Sequence, residues 1–297
     1  MNFSNNLEEY ILYLRLERRM SPNTVIAYHT DLSQFRTFLL KNYETEEIDK
    51  VKSYQIRSWL VELKDHQVAN RSLRRKTSAL KAFFKFLIKG GKMETNPVRA
   101  IVLPKLSKSL PHFLETSQTE SLLESQNFPD SFEGKTARLI LELLYQTGMR
   151  RAELIQLKEH DINFQRKEAM IFGKGNKARI VPLNEYLLID LKEYIDLKKG
   201  LFENNGNYLL SLKSGKQMYG NYVYRVVNRY LEAITTLSKK SPHLLRHTFA
   251  TQLLNNGAEL MAIKDLLGHS SLAATQVYTH VNIEKLKEVY KNAHPKS

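Results

Sequence analysis

Tyr278 stands nine residues after His269 in the stretch LLGHSSLAATQVYTH. Its Gly-His-Ser reads as a helix stop followed by a new start, and a short polar segment then leads to the tyrosine. A phenol so placed is either packing, with its hydroxyl bonded, or a nucleophile that forms a covalent intermediate. The chain has 15 tyrosines, so the residue alone decides nothing.

Three other stretches carry groups of matching chemistry. In TGMRRAELIQL, Gly148 ends one helix and Arg150 opens the next. A guanidinium at a helix N-terminus opposes the dipole unless an anion binds there too, and helix N-termini suit phosphate. The plainer reading is an ion pair with Glu153 or Asp161. In FGKGNKARIVPL, Lys174 sits at the tip of a tight turn, and the GxxxxGK[ST] pattern of a nucleotide-binding loop is absent. A lysine there can enter a groove or protonate a leaving oxygen, or be a solvated turn residue. In SPHLLRHTFATQLL, His243 and Arg246 are three apart and share a helix face, an anion-binding pair with a titratable member. The metalloprotease form of His243 and His247 needs Glu at 244, where Leu244 stands, so no metal is expected.

Together these groups suit a phosphodiester. Arginines neutralise non-bridging oxygens through two-pronged hydrogen bonds as the pentavalent state forms. A tyrosine nucleophile must shed a proton with a pKa of about 10, so a base helps, and the leaving oxygen needs an acid.

The elements that must position these groups fall into two regions. Residues 1–103 read as all helical. Asn6 to Arg18 has apolar residues at helical spacing, and Ser21-Pro22 supplies an N-cap and a first-turn proline for the next helix, which buries Val25, Tyr28, Leu32, Phe35 and Leu39. A third helix carries Ile56, Trp59, Leu60 and Leu63. The fourth, SLRRKTSALKAFFKFLIKGG, has two stripes: Leu73, Thr77, Leu80, Phe84 and Leu87 to pack, and Arg71, Arg74, Ser78, Lys81 and Lys85 as a basic face without an acid among them. A solvated face is the bland alternative, a DNA-binding face the sharper one.

Prolines at 97, 104 and 111, with Arg99, Lys105 and Lys108, mark a basic extended linker, placed at 104–112. Residues 113–297 form the second region. Thr136 to Tyr145 is an apolar helix ending at Thr147-Gly148, and Arg150 to Leu157 is a short helix. DINF, EAMIF and ARIVPL read as strands, the last two as a hairpin around GKGNK, and helices return from Glu185. The fold class expected is mainly α with a small antiparallel sheet.

The 297 residues suit two domains, and 42% hydrophobic content suffices for their cores. The absence of cysteine excludes disulfides and thiolate metal sites. No apolar segment of signal-peptide type opens the chain and no apolar run is long enough to span a bilayer, so a soluble cytoplasmic protein without a membrane partner is expected. A net charge of +14 favours a polyanionic partner, nucleic acid first.

Four motifs in order, TGMRRAEL, GKGNKARIVPL, HLLRHTFAT and LLGHSSLAATQVYTHV, resemble those of the tyrosine recombinase (phage integrase-like) family, most closely its Xer subgroup. SPNTVIAYHTDLSQF looks like that family's core-binding domain, and the likeness spans nearly the whole chain. The resemblance implies that Arg150 and Arg246 clamp the phosphate. It likewise makes Lys174 the acid for the 5′-hydroxyl, His243 the proton acceptor, His269 a phosphate ligand, and Tyr278 the nucleophile that makes a 3′-phosphotyrosine. Arg151 departs from the small or apolar residue common at its position and rivals Arg150 in register.

The resemblance also implies a core-binding and a catalytic domain closing as a clamp on duplex DNA, the linker crossing it, with no cofactor. It implies tetramers on two recombination sites, formed with itself or a paralogous recombinase, with a DNA translocase as a further partner. The tail NIEKLKEVYKNAH, apolar at Ile283, Leu286, Val289 and Tyr290, is expected to dock on a neighbouring protomer. The biological role implied is resolution of chromosome dimers. An integrase of a mobile element, a relaxing topoisomerase of the IB type and a non-catalytic DNA-binding regulator are the alternatives.

Overall fold

The computed structural model describes residues 1–103, 113–173, 177–203, 206–268 and 293. The chain divides into two units, Met1–Ser109 and Leu110–Ser297.

Among its described residues the first unit has four α-helices, α1 (Phe3–Leu16), α2 (Pro22–Tyr43), α3 (Ser53–Asp65) and α4 (Asn70–Lys89), with a 3-10 turn at Ile48–Lys50. Helix α1 starts three residues before the expected Asn6, because Asn2 caps it, its side chain accepting from the Asn5 N–H at 3.1 Å. Phe3 is fully buried and its N–H donates to the Glu46 carbonyl at 2.8 Å, a non-local anchor. Ser21 caps α2, accepting from the Thr24 N–H at 3.3 Å, with Pro22 in the first turn. The core gathers aromatic rings from all four helices, with Tyr10 and Phe83 at 5.2 Å and Phe35 and Trp59 at 5.0 Å between centroids.

On α4 the apolar stripe Leu73, Thr77, Leu80, Phe84 and Leu87 is buried. Opposite it, Arg71, Ser78, Lys81 and Lys85 are exposed and Arg74 is half-buried. Acid does reach this helix, from α2: buried Asp31 pairs with Arg75 and, at 2.9 Å, with Lys76, whose ammonium also lies 5.8 Å from the Trp59 ring. No reading of α4 alone would find that pair, because Asp31 is 45 residues from Lys76. Among the described residues, no ion pair takes Arg71, Lys81 or Lys85.

The second unit contains α5 (Thr116–Leu122), α6 (Phe132–Thr147), α7 (Arg151–Gln156), β1 (Ile162–Asn163), β2 (Glu168–Phe172), β3 (Ala178–Pro182), α8 (Glu185–Leu201), α9 (Gly220–Ile234), α10 (Pro242–Asn255) and α11 (Leu260–Leu267). Helix α6 is buried along nearly its whole length. The strands form an antiparallel sheet in the order β1-β2-β3, with Ile171 opposite Arg179 and Ala169 opposite Val181. The architecture is therefore mainly helical with one small sheet.

Gly148 ends α6 in the left-handed region, at φ 59°. A Cβ there would stand 2.5 Å from Phe249 and 2.8 Å from Leu267, so glycine alone fits between α10 and the end of α11. That close approach brings the loop holding Arg150 against the helix holding Arg246.

Ala293, from the expected tail helix, is 3% exposed in this unit's own core, and its carbonyl accepts from Asn256 Nδ2 at 2.6 Å. The contact at this residue is with Asn256, the residue that follows α10. Ile283, Leu286, Val289 and Tyr290 lie outside the described residues, as does the linker 104–112.

Candidate active site

Arg150 is the N-cap of α7, and Glu153 closes the first turn beneath it. The Glu153 carboxylate accepts from the Arg150 backbone N–H at 2.8 Å and from Arg150 Nη1 at 2.8 Å. The simple ion pair is thus present, yet it does not absorb the site's charge. Arg179 Nη2 donates to the same carboxylate at 2.7 Å. Arg246 lies close enough for both arginines to depress its basicity.

Arg246 comes from the first turns of α10, which Pro242 opens at a fixed φ. Its side chain runs inward and the residue is 7% exposed. Nη1 donates to the Gly148 carbonyl and Nη2 to the Leu267 carbonyl, the latter at 2.7 Å. Burial first, then repulsion by Arg150 and Arg179, lowers its pKa to about 10 against a smaller opposing effect of Glu153. The group stays charged at neutral pH, in a setting that favours an incoming anion.

For Glu153, burial raises the carboxyl, but the hydrogen bonds and charges of Arg179 and Arg150 outweigh it and hold it below the usual range. One buried carboxylate thus serves several cations. Each guanidinium carries five N–H donors in a planar fork, and the hydrogen bonds found leave Arg150 and Arg246 with donors for a phosphate.

His243 is exposed on the opening turn of α10. Desolvation, then the charges of Arg246, Arg150, Arg151 and His247, lowers its pKa below the ordinary 6.5. The imidazole is therefore neutral at pH 7 and able to accept a proton. Because the folded state resists protonation, its contribution to stability is complete above pH 6.5 and falls as pH drops below that value. Titration of the His243 C2 proton by NMR is expected to give a midpoint below 6.5 in the free protein. Bound DNA is expected to raise it, by offsetting the arginine charges. A free-protein midpoint at or above 6.5 would contradict the arrangement.

Arg151 turns elsewhere, donating from Nη1 to the Gly220 carbonyl at 3.1 Å, at the start of α9. Of the six residues expected to do chemistry, Arg150, His243 and Arg246 are brought together. Lys174, His269 and Tyr278 lie outside the described residues. Gly173 donates its N–H to the Lys177 carbonyl at 2.9 Å.

Arg179 was not singled out from the sequence. A signal did exist: it shares a strand face with Val181, which is fully buried, and an arginine on a core-facing strand position needs a buried acid. Among the described residues no group of three or more His, Cys, Asp or Glu could hold a metal ion.

Residues 112–285 match the phage integrase family, and residues 7–91 match the phage integrase N-terminal SAM-like domain. The tyrosine recombinase XerC of Chlorobaculum parvum is 36% identical, over 97% of this chain and 94% of that protein. The tyrosine recombinase XerD of Staphylococcus saprophyticus is also 36% identical, over 98% of this chain and 99% of that one. Among solved structures, the XerH site-specific recombinase in a post-cleavage complex with palindromic difH substrate shares the fold. Its TM-score is 0.72 at 24% identity, covering 95% of this chain and 82% of XerH. A lambda integrase tetramer bound to a Holliday junction is similar at TM-score 0.69 and 22% identity, covering 92% of this chain and 76% of the integrase.

Proposed function

Because the chain belongs to the phage integrase family of tyrosine recombinases, enzymes that cut and rejoin DNA at specific sites, we propose a residue-level mechanism and a biological role for it. The observation that carries the mechanism is the surplus of positive charge where α7, α10 and β3 meet: Arg150, Arg179 and Arg246 around the carboxylate of Glu153.

In this reading the Tyr278 oxygen attacks the phosphorus, His243 takes the phenol proton, and the O–P bond forms as the P–O5′ bond breaks. Lys174 returns a proton to the departing 5′-oxygen. Arg150 and Arg246 stabilise the charge that gathers on the non-bridging oxygens, and His269 hydrogen-bonds one of them. The phosphotyrosine bond retains the energy of the phosphodiester, so rejoining requires only attack by a 5′-hydroxyl. The exposed α4 face of Arg71, Ser78, Lys81 and Lys85, with Arg74 beside it, is the proposed DNA contact of the first unit.

The role proposed is resolution of chromosome dimers by a tetramer on two sites, in the cytoplasm, with a paralogous recombinase as partner and a DNA translocase as activator. Its support is equal likeness to a XerC and a XerD over nearly complete lengths. The test is covalent trapping on a candidate site carrying a nick near the scissile phosphate, where the short released fragment, with its free 5′-hydroxyl, diffuses away. Mass spectrometry of the adduct should map it to Tyr278. An adduct on another residue, or none on a site that is bound, would overturn the mechanism.

A further inference from the structure

Arg179 lies on the inner face of β3, its side chain 10% exposed, and it faces two different parts of the site. Nη2 donates to Glu153 Oε2 at 2.7 Å, the carboxylate that also binds Arg150. Nε donates to the Leu266 carbonyl at 2.7 Å. Arg246 Nη2 takes the next carbonyl, Leu267, at 2.7 Å, and Arg150 Nη2 approaches the one after, Gly268, at 3.4 Å. Three consecutive carbonyls at the end of α11 therefore each face one guanidinium. The last carbonyls of a helix lack partners within it and carry the negative end of its dipole, so they suit cations.

Gly268 completes the contact. It caps α11 at φ 61°, and a Cβ there would stand 3.1 Å from Arg179 Cδ and 3.2 Å from Arg179 Nη1. The arginine lies close against the residue that directly precedes His269.

We propose that Arg179 is a positioning residue for DNA cleavage: its guanidinium spans the Glu153 carboxylate and the Leu266 carbonyl, tying the Arg150 clamp to the end of α11, from which the segment holding His269 and Tyr278 departs. The inference rests on the phosphate-clamp reading of Arg150 and Arg246. Arg179 reaches the phosphate only through other groups, so it acts on the cleavage step rather than on DNA affinity. A lysine keeps a positive charge for Glu153, but its point ammonium lacks the planar fork that spans two acceptors.

The experiment measures single-turnover adduct formation on a nicked site at saturating protein, with DNA affinity and thermal midpoint measured separately. It uses wild type, R179K, R179Q, E153Q and R179Q/E153Q. R179Q is expected to slow adduct formation by about 10²-fold, the usual consequence of a reacting group displaced by an ångström, while site affinity holds. R179K is expected to fall between R179Q and wild type. E153Q and R179Q are expected to be non-additive, because both act through one contact.

A wild-type rate in R179K, or losses that multiply independently in the double variant, overturns the proposal. So does a loss of rate matched by an equal loss of affinity, which marks a merely structural arginine. If R179Q does not fold, the R179K rate alone decides. If wild type forms no adduct at Tyr278, the recombination mechanism fails and this proposal with it. If wild type does and the Arg179 variants match it, only this proposal fails.

Discussion

Tyr278→Phe is expected to bind its DNA site with unchanged affinity and to form no covalent adduct. The substitution removes one oxygen and keeps the ring, so whatever packing the phenol makes is largely preserved. It removes the sole atom that the proposed chemistry needs as nucleophile, so the loss should be complete rather than partial. A chain of net charge +14 is expected to draw its affinity from many phosphate contacts, and one neutral hydroxyl adds little to such a sum. Gel analysis of a labelled nicked site reads both quantities together, as a shifted complex and a covalent band. Adduct formation by Tyr278→Phe, mapped to another of the 15 tyrosines, would move the nucleophile elsewhere. The same band separates a non-catalytic regulator, which gives none even with wild type. A relaxing topoisomerase is separated by a second measurement, relaxation of a supercoiled plasmid that carries no paired sites.

What the sequence made legible is what local rules control. The two stripes of α4 follow from helical spacing, and Ser21-Pro22 and Gly148 announce a start and a stop by their own conformational limits. The motif around Arg150 and Glu153 was readable for the same reason, since three residues span one helical turn. What stayed hidden is held across distance. Arg179 and Glu153 are 26 residues apart, Arg150 and Gly268 are 118, and no periodicity links them. The early start of α1 has the same origin, because Phe3 is fixed by Glu46 from beyond the next helix. The ion pair on α4 has the same origin: Asp31 arrives from α2 and engages Arg75 and Lys76, which lie outside the exposed basic stripe. A buried acid between two bases is a tertiary solution to a desolvation problem, and the sequence records only its members.

Arg246→Ala is expected to slow cleavage by about 10²–10³-fold, the usual loss when one preorganised donor to a developing charge is removed, equivalent to ~2.7–4 kcal/mol. The donor is preorganised here in a specific sense. The Gly148 and Leu267 carbonyls hold the guanidinium before any phosphate arrives, and burial with two neighbouring arginines makes an anion welcome. The same geometry gives the substitution a structural cost, since two buried carbonyls lose their partner, each worth about 1–3 kcal/mol if water does not replace it. A thermal melt must therefore accompany the rate. Arg246→Lys separates the two effects: it keeps the charge and fills much of the space, but lacks the fork that addresses carbonyl and phosphate together. Slow cleavage by a folded, DNA-binding Arg246→Lys protein would place the loss in the transition state. Cleavage at the wild-type rate by either variant would remove Arg246 from the chemistry and leave it a strut between α10, the Gly148 turn and the end of α11.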